Sequence, residues 1–102
     1  MFVASGAAGL EIGDDCLLSP NVCIMAGNYR YDRVDVPIQD QGFVYKGIRI
    51  GDNVWIGANA TVLDGAEIGD GSIIGPNSVV SGKIPPMSIA QGNPAKVIVT
   101  RR

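Results

Sequence analysis

Aliphatic residues recur at every sixth position over most of the chain. The series starts at Ile12, is interrupted once, and resumes at Val44. Its members are Ile12, Leu18, Ile24, Val44, Ile50, Ile56, Val62, Ile68, Ile74 and Val80. Ile, Leu and Val fill only 27 of the 102 positions, so ten matches in ten steps indicate a true repeat rather than chance.

The other places of the hexad support one short strand followed by one corner. Gly follows the aliphatic residue in five of the ten repeats, which suits a tight corner. Asp, Asn, Gly and Pro crowd the next two places, as in Asp52-Asn53 and Pro76-Asn77, and these are turn residues. The fifth place is mostly small or β-branched, which fits a second inward position with little room.

A period of six is incompatible with an amphipathic helix, whose apolar stripe repeats every 3.6 residues. The pattern predicts an all-β fold: a parallel β-helix in which three hexads close one triangular coil of 18 residues. Coils would stack about 4.8 Å apart with the aliphatic column along the axis. We expect about four coils, forming one domain over residues 1–102.

Two segments depart from the repeat. Residues 30–43 are rich in charge and aromatics and predict an arm that protrudes from one corner of the prism. After Pro85-Pro86 the hexads are expected to end. Residues 86–102 then form a C-terminal extension in which two short extended pieces flank the turn at 92–95 and blunt the last coil.

Three stretches carry a resemblance to a known family. They are Ile50-Gly51-Asp52-Asn53-Val54-Trp55-Ile56-Gly57-Ala58-Asn59, the hexads at 68–80, and the tail with Pro85-Pro86 and Gly92-Asn93-Pro94-Ala95-Lys96. Over roughly residues 10–99 the chain resembles the left-handed β-helix, hexapeptide-repeat acyltransferases, in the branch that acetylates sugars and related hydroxyl compounds. The left hand is implied by this resemblance, since the usual crossover rule favours the right hand.

The resemblance implies a homotrimer that binds acyl-CoA, most simply acetyl-CoA, in the groove between neighbouring copies, with no metal. Trp55 would lie outside the prism near the pantetheine arm or the acceptor. Ala58 and Pro76 would present backbone along that arm. The residues toward the nucleotide end would be Ser81, Lys83 and Lys96.

The charge distribution agrees with an anionic ligand at the C-terminal end. Residues 1–70 hold all ten acids and four bases, whereas residues 71–102 hold four bases and no acid. The bases are few and not interleaved with aromatics, which argues against a nucleic-acid partner.

The two cysteines are Cys16 and Cys23, and their spacing suggests neither a disulfide framework nor a metal site. We expect both to be free thiols, on opposite-facing positions. With no apolar run of membrane length and no basic leader, the chain is expected to be cytoplasmic.

The chain contains no histidine, which excludes Ser-His or Cys-His catalysis and the zinc carbonic anhydrases that share this fold. The resemblance implies a histidine base where the arm leaves the prism, and that position falls on Asn28 or Tyr29. Neither titrates usefully near neutral pH. Asp32 or Asp35 would substitute only if burial raised its pKa.

Two further explanations of the missing base remain open from the sequence. An amine acceptor, already partly deprotonated, would need little help from a base. Alternatively, the chain is a catalytically degenerate or truncated homologue, with N-terminal coils lost, that acts as a trimeric CoA-binding scaffold. The sequence does not identify the small-molecule acceptor.

Overall fold

The computed structural model describes residues 2–4 and 9–101, with side chains from residue 9 onward. Arg102 lies outside this range, as do Met1, Ser5 and Gly6, on which the expectation of no basic leader partly rests. The chain forms a left-handed β-helix. The strands are β1 (Phe2–Ala4), β2 (Leu10–Ile12), β3 (Leu17–Leu18), β4 (Cys23–Met25), β5 (Asn28–Tyr29), β6 (Phe43–Val44), β7 (Ile48–Ile50), β8 (Trp55–Ile56), β9 (Thr61–Leu63), β10 (Glu67–Ile68), β11 (Ile73–Ile74), β12 (Val79–Val80), β13 (Lys83–Ile84), β14 (Ser88–Gly92) and β15 (Ala95–Thr100).

The prism has three faces, which we number in the order in which the chain visits them within one coil. The first face consists of β2, β7, β10 and β13, and the third of β1, β4, β9 and β12. The second face consists of β3, β8, β11 and β14, with β15 added at its edge. Within each face these strands are parallel except for β15, which is antiparallel to β14. The predicted parallel β-helix is therefore confirmed, with three complete coils and a partial coil at each end.

The aliphatic column fills the axis of the prism as predicted. Ile50, Ile56, Ile74 and their equivalents on the third face are buried and stack in register between coils. Ile12 is 39% exposed, because no strand pairs with β2 on its outer side among the described residues. Burial of branched side chains at about 25 cal/mol per Å² is the main stabilising contribution of such a column.

Val44 is the one member of the predicted column that lies elsewhere. It is on β6, which pairs antiparallel with β5 at the base of the arm, and its side chain is 39% exposed. The chain has not yet rejoined the prism at this residue, so the sixfold spacing that includes Val44 is coincidental. The column resumes at Ile50. A single turn of 3-10 helix at Ile38–Asp40 lies near the middle of the arm.

Glycine after the aliphatic residue is explained by close approach of the next coil. A Cβ on Gly57 would lie 2.7 Å from the backbone nitrogen of Pro76, and one on Gly69 would be even closer to that of Pro86. The left-handed backbone is instead taken up at the asparagines that follow, such as Asn59 and Asn77, both with φ of 62°. At these corners glycine provides the space and asparagine the conformation, whereas the corners at Gly65 and Gly71 use glycine for the left-handed backbone.

The repeat extends one strand beyond the predicted limit at Pro85-Pro86. Ala90 on β14 occupies the inward position above Ile74 and is fully buried. The last coil is shorter, because Ile84 follows its partner Ile68 after 16 residues, whereas Ile68 follows Ile50 after 18. The hydroxyl of Ser72 compensates locally: it donates to the carbonyl of Pro85 at 2.7 Å and accepts the N–H of Ser88 at 3.1 Å. Strand β15 then folds back antiparallel to β14 and covers the edge of the last coil, as the sequence predicts for the C-terminal extension.

Candidate functional site

The three faces present different chemistry to the outside. On the first face four charged side chains of alternating sign stand in register: Glu11, Arg49, Glu67 and Lys83. On the second face the equivalent positions are apolar: Leu17, Trp55, Ile73, Ile89 and Val99. The second face is thus an apolar strip that runs along the prism, and strips of this kind mark interaction surfaces.

Trp55 lies in the middle of this apolar strip with its side chain outward. The residue is 47% exposed, and its indole Nε1–H donates to the hydroxyl of Ser19 at 3.0 Å. Ser19 belongs to the preceding coil, 36 residues earlier. The hydrogen bond fixes the direction of the ring, so Trp55 presents an oriented aromatic surface rather than a freely rotating one.

Ala58 and Pro76 stack one above the other at the corner between the second and third faces. Their carbonyl groups already accept hydrogen bonds within the chain, from the N–H of Asn77 at 2.9 Å and from Nε2 of Gln91 at 2.9 Å, respectively. A carbonyl oxygen has a second lone pair, so each can also accept from a ligand. Both residues adjoin the second face that carries Trp55.

The predicted nucleotide-end residues are spread around the prism. Ser81 is exposed at the corner between the third and first faces, and Lys83 is on the first face, where Nζ lies 3.7 Å from Oε2 of Glu67. Lys96 is exposed on β15, opposite Gln91, at the edge of the second face. Arg101 donates to the carbonyl of Gly71. Among the C-terminal bases that the structure describes, Lys83, Lys96 and Arg101 are therefore not gathered into one anion site within a single chain.

The base of the arm is a short antiparallel ribbon built on aromatic contacts. Tyr29 and Phe43 are directly opposite each other, and Phe43 stacks in turn on Tyr45 with ring centroids 5.8 Å apart. The ring of Tyr45 lies against Gly27, where a Cβ would be only 2.6 Å from it. Asn28, also on β5, is exposed and opposite Val44. Aromatic packing thus holds β5, where the chain enters the arm, against β6, where it comes back.

A surface pocket of about 280 Å³ opens beside this ribbon. It is lined by Asn28, Tyr29, Arg30, Tyr31, Asp32, Val44, Lys46 and Asp64. The structure thus brings together the three candidate catalytic residues named from the sequence, Asn28, Tyr29 and Asp32. This pocket provides an amide, a phenol and a carboxylate near one another, with room for a small polar molecule. Their role in chemistry stays a prediction.

The two acidic residues considered as substitute bases are not desolvated. The side chain of Asp32 is 66% exposed, and its Oδ1 is 3.6 Å from Nε of Arg30. The guanidinium of Arg33, which donates to both carboxylate oxygens of Asp35, lowers the pKa of Asp35 below its usual value of 3.8. A general base near neutral pH needs a shift in the opposite direction. The single chain does not provide the burial that this role requires.

The arm pocket and Trp55 lie on different sides of the prism. The pocket is at the corner between the third and first faces, where Asp64 follows β9, and Trp55 is on the second face.

Two residues that organise these sites could not be identified from the sequence. The sequence shows Asp64 only as one of the turn residues of the hexads and does not single out Ser19, because the hydrogen bonds that they make depend on which residues stack between coils. No local sequence signal distinguishes them from other corner residues.

Three further features bear on the chemistry available. Among residues 9–101, no group of three His, Cys, Asp or Glu side chains is arranged to hold a metal ion. Within the described part of the chain, no helix has the length and apolar character that crossing a membrane requires. Both thiols are free: Cys16 packs against the core, with Sγ 3.1 Å from the carbonyl oxygen of Gly51, and Cys23 is on the third face.

Comparison with known proteins gives consistent matches. Residues 47–82 match the family described as bacterial transferase hexapeptide (six repeats). The probable acetyltransferase Rv3034c of Mycobacterium tuberculosis is 43% identical over 93 residues, which are 91% of this chain and 31% of that protein. The galactoside O-acetyltransferase of Escherichia coli is 40% identical over 90 residues, which are 87% of this chain and 43% of that enzyme.

A solved structure extends the similarity to three dimensions. A hexapeptide-repeat acetyltransferase of Vibrio cholerae, complexed with acetyl coenzyme A, matches with a TM-score of 0.83 at 31% identity. The match covers 91% of this chain and 50% of that one. The chain thus spans half or less of the length of these three proteins. The resemblance drawn from the sequence is confirmed, together with the left-handed β-helix.

Proposed function

This chain belongs to the hexapeptide-repeat acyltransferase family, and we propose that it carries an acyl-CoA-dependent acyltransferase site. The reaction transfers an acyl group, most simply acetyl, from the CoA thioester to a hydroxyl or amine of a sugar-like or other small acceptor. The protein works in the cytoplasm, a reducing compartment in which the free thiols of Cys16 and Cys23 persist.

The oriented indole of Trp55 on the apolar second face is the observation that carries this proposal. A pantetheine arm is a mostly apolar chain with two amide groups, so it needs an apolar wall and nearby backbone acceptors. The second face supplies the wall, and the adjoining corner supplies the carbonyls of Ala58 and Pro76. The acetyl-CoA complex of the Vibrio relative supports the same class of ligand.

The site is completed by a second copy of the chain, and the assembly is a homotrimer. In one chain the arm pocket and Trp55 are on different sides of the prism, so neither side alone holds both substrates. A ring of three prisms places the arm corner of one copy beside the second face of the next, which is a heterologous, closing contact. Apolar residues that are exposed on the second-face sheet of one chain, such as Leu17 and Ile98, would be buried in this contact, which favours assembly.

The chemistry needs one bond exchange. The acceptor oxygen or nitrogen attacks the thioester carbonyl carbon, the carbon–sulfur bond breaks, and CoA leaves as the thiol with the proton that the acceptor loses. Asn28 provides a hydrogen bond to the acceptor but does not remove a proton. Holding the two reactants together supplies the main rate acceleration. An amine acceptor suits this site best, because its neutral fraction attacks without a base.

Release of CoA thiol tests the proposal. The protein is incubated with acetyl-CoA and a panel of neutral sugars, amino sugars and simple amines, and thiol is measured against an acceptor-free control. We expect acceptor-dependent release, larger for amines than for matched hydroxyl compounds. The Asp32→Asn variant separates two origins of the activity: a loss of rate assigns the base to Asp32, and an unchanged rate assigns turnover to proximity.

A second candidate function is a trimeric scaffold that binds CoA without turning it over. The absence of any histidine in the chain favours this function, since loss of a general base lowers the rate by a factor of about 10²–10⁴. Calorimetric binding of CoA together with no thiol release on any acceptor would establish this function and exclude the first.

A further inference from the structure

Asp64 is the one buried charged side chain among residues 9–101, at 7% exposure. It follows β9 at the corner between the third and first faces. Its Oδ2 accepts the N–H of Lys46 at 2.8 Å and its Oδ1 accepts the N–H of Gly47 at 2.8 Å. Both oxygens of one carboxylate are therefore bonded to two consecutive backbone amides, an arrangement that holds a short segment in place at two points.

The segment that Asp64 holds is the return end of the arm. Lys46 and Gly47 are the residues at which the chain rejoins the prism before β7. A third bond, from the N–H of Gly65 to the carbonyl of Gly47 at 2.8 Å, closes the same junction. The departing end is close by, because Met25, the last residue of β4, pairs with Leu63. One corner of the next coil thus supports both ends of the arm.

The contact is transmitted to Asn28 through few steps. Lys46 directly follows Tyr45, whose ring packs on Gly27, and Tyr45 directly follows β6. Strand β6 pairs with β5 so that Val44 is opposite Asn28. A movement of the Lys46–Gly47 backbone therefore moves β6, the strand with which Asn28 pairs.

We propose that Asp64 is a positioning residue that fixes the arm to the prism and so holds Asn28 in the lining of the arm pocket. It does not act as the missing base, because both of its oxygens are bonded to amides. A carboxylate is required here for a simple reason. The two N–H groups point at two separate oxygen atoms, and an asparagine would turn its NH₂ group, a donor, toward one of them. The catalytic consequence rests on the proposed acyltransferase function; the anchoring of the arm does not.

Hydrogen exchange measured by mass spectrometry tests the anchoring. The variants are Asp64→Ala, which removes both acceptors, and Asp64→Asn, which keeps one. The matched control is Asp70→Ala, because Asp70 makes the same kind of bond between coils, accepting the N–H of Asp52 at 2.7 Å, at a corner away from the arm. Peptides over residues 26–33 and 41–48 report on the arm, and peptides over 55–63 and 73–80 report on the prism.

We expect exchange in the two arm peptides to accelerate roughly tenfold in Asp64→Ala and less in Asp64→Asn, with the prism peptides unchanged. The control leaves the arm peptides at the wild-type rate. Equal acceleration in arm and prism peptides, or none in the arm, overturns the proposal. Asp64→Asn retains the shape of the side chain, so the comparison holds even where Asp64→Ala does not fold.

Steady-state kinetics then tests the link to Asn28. In Asp64→Asn we expect kcat to fall about fivefold with the KM for acetyl-CoA unchanged, because Trp55 is on another face. An unchanged kcat despite a loosened arm would overturn the positioning of Asn28. If the wild-type protein shows no turnover, the acyltransferase proposal fails, and the exchange experiment still decides whether Asp64 anchors the arm.

Discussion

The ring of Tyr29 lies against the ring of Phe43, with centroids 4.4 Å apart and planes inclined by 34°. The two residues are also directly opposite each other in the β5–β6 ribbon. Tyr29 is thus a packing residue of the arm. Because successive side chains of a strand point to opposite sides, its neighbour Asn28 points away from this aromatic stack. Of the two positions that the sequence left open for the family histidine, the geometry favours Asn28.

Restoring the missing base at Asn28 should therefore raise activity. We expect Asn28→His to increase kcat for a hydroxyl acceptor by about tenfold or more, since a positioned general base raises the rate by a factor of about 10²–10⁴. Tyr29→His should give no gain and should lower stability by roughly 1 kcal/mol through loss of the stack on Phe43. Thiol release and urea unfolding of both variants provide the measurements. A gain in Tyr29→His alone would contradict this assignment.

The hydrogen bond from Trp55 to Ser19 should matter for CoA binding. Ser19→Ala frees the indole, and we expect the Kd for CoA to rise about two- to tenfold, the usual value of one hydrogen bond. Ser19→Thr keeps a hydroxyl and serves as the matched control, with affinity close to that of the wild type. Calorimetry gives the affinities, and a change in the fluorescence of the single tryptophan reports on ring mobility. Equal affinity in all three proteins would show that orientation of Trp55 is unimportant.

Assembly should depend on the apolar second face. Leu17 is exposed in the single chain, so Leu17→Lys should leave the fold of each chain intact while placing a charge in the proposed contact between copies. We expect sedimentation to show a trimer for the wild type and a single chain for Leu17→Lys. Glu67→Gln, on the charged first face, should remain trimeric. A wild-type protein that sediments as a single chain would refute the shared site.

The close approach of successive coils predicts different tolerance for three glycines. Gly57→Ala and Gly69→Ala each place a Cβ within 3.0 Å of backbone atoms of the next coil, and should lower the free energy of unfolding by about 1–3 kcal/mol. Gly82→Ala has no atom within 4 Å of the added Cβ and should change stability by less than about 0.5 kcal/mol. Urea unfolding compares the three. Similar losses in all of them would argue against steric contact as the reason for these glycines.

Part of the site could be named from the sequence, because three stretches of the chain resemble a known family. That resemblance implies Trp55 near the pantetheine arm and Asn28 or Tyr29 at the position of the family's base, and Asp32 is a candidate because it is a carboxylate on the arm. The electrostatic argument stays a prediction. In the described part of a single chain Lys83 pairs with Glu67 on the first face, and Lys96 is on β15 at the edge of the second. A count of charges along the chain contains no information about the face on which each one lies.

The coil can be predicted from the order of residues, because a branched side chain must turn inward at every sixth place and this requirement is local and repeated. Which outward side chains meet depends on the folded chain. Ser19 reaches Trp55 across 36 residues and Asp64 reaches Lys46 across 18, and both contacts depend on how coils of unequal length, one of them lengthened by the arm, come into register. The inclusion of Val44 in the column failed for the same reason, because β5 and β6 pair with each other before the chain rejoins the prism.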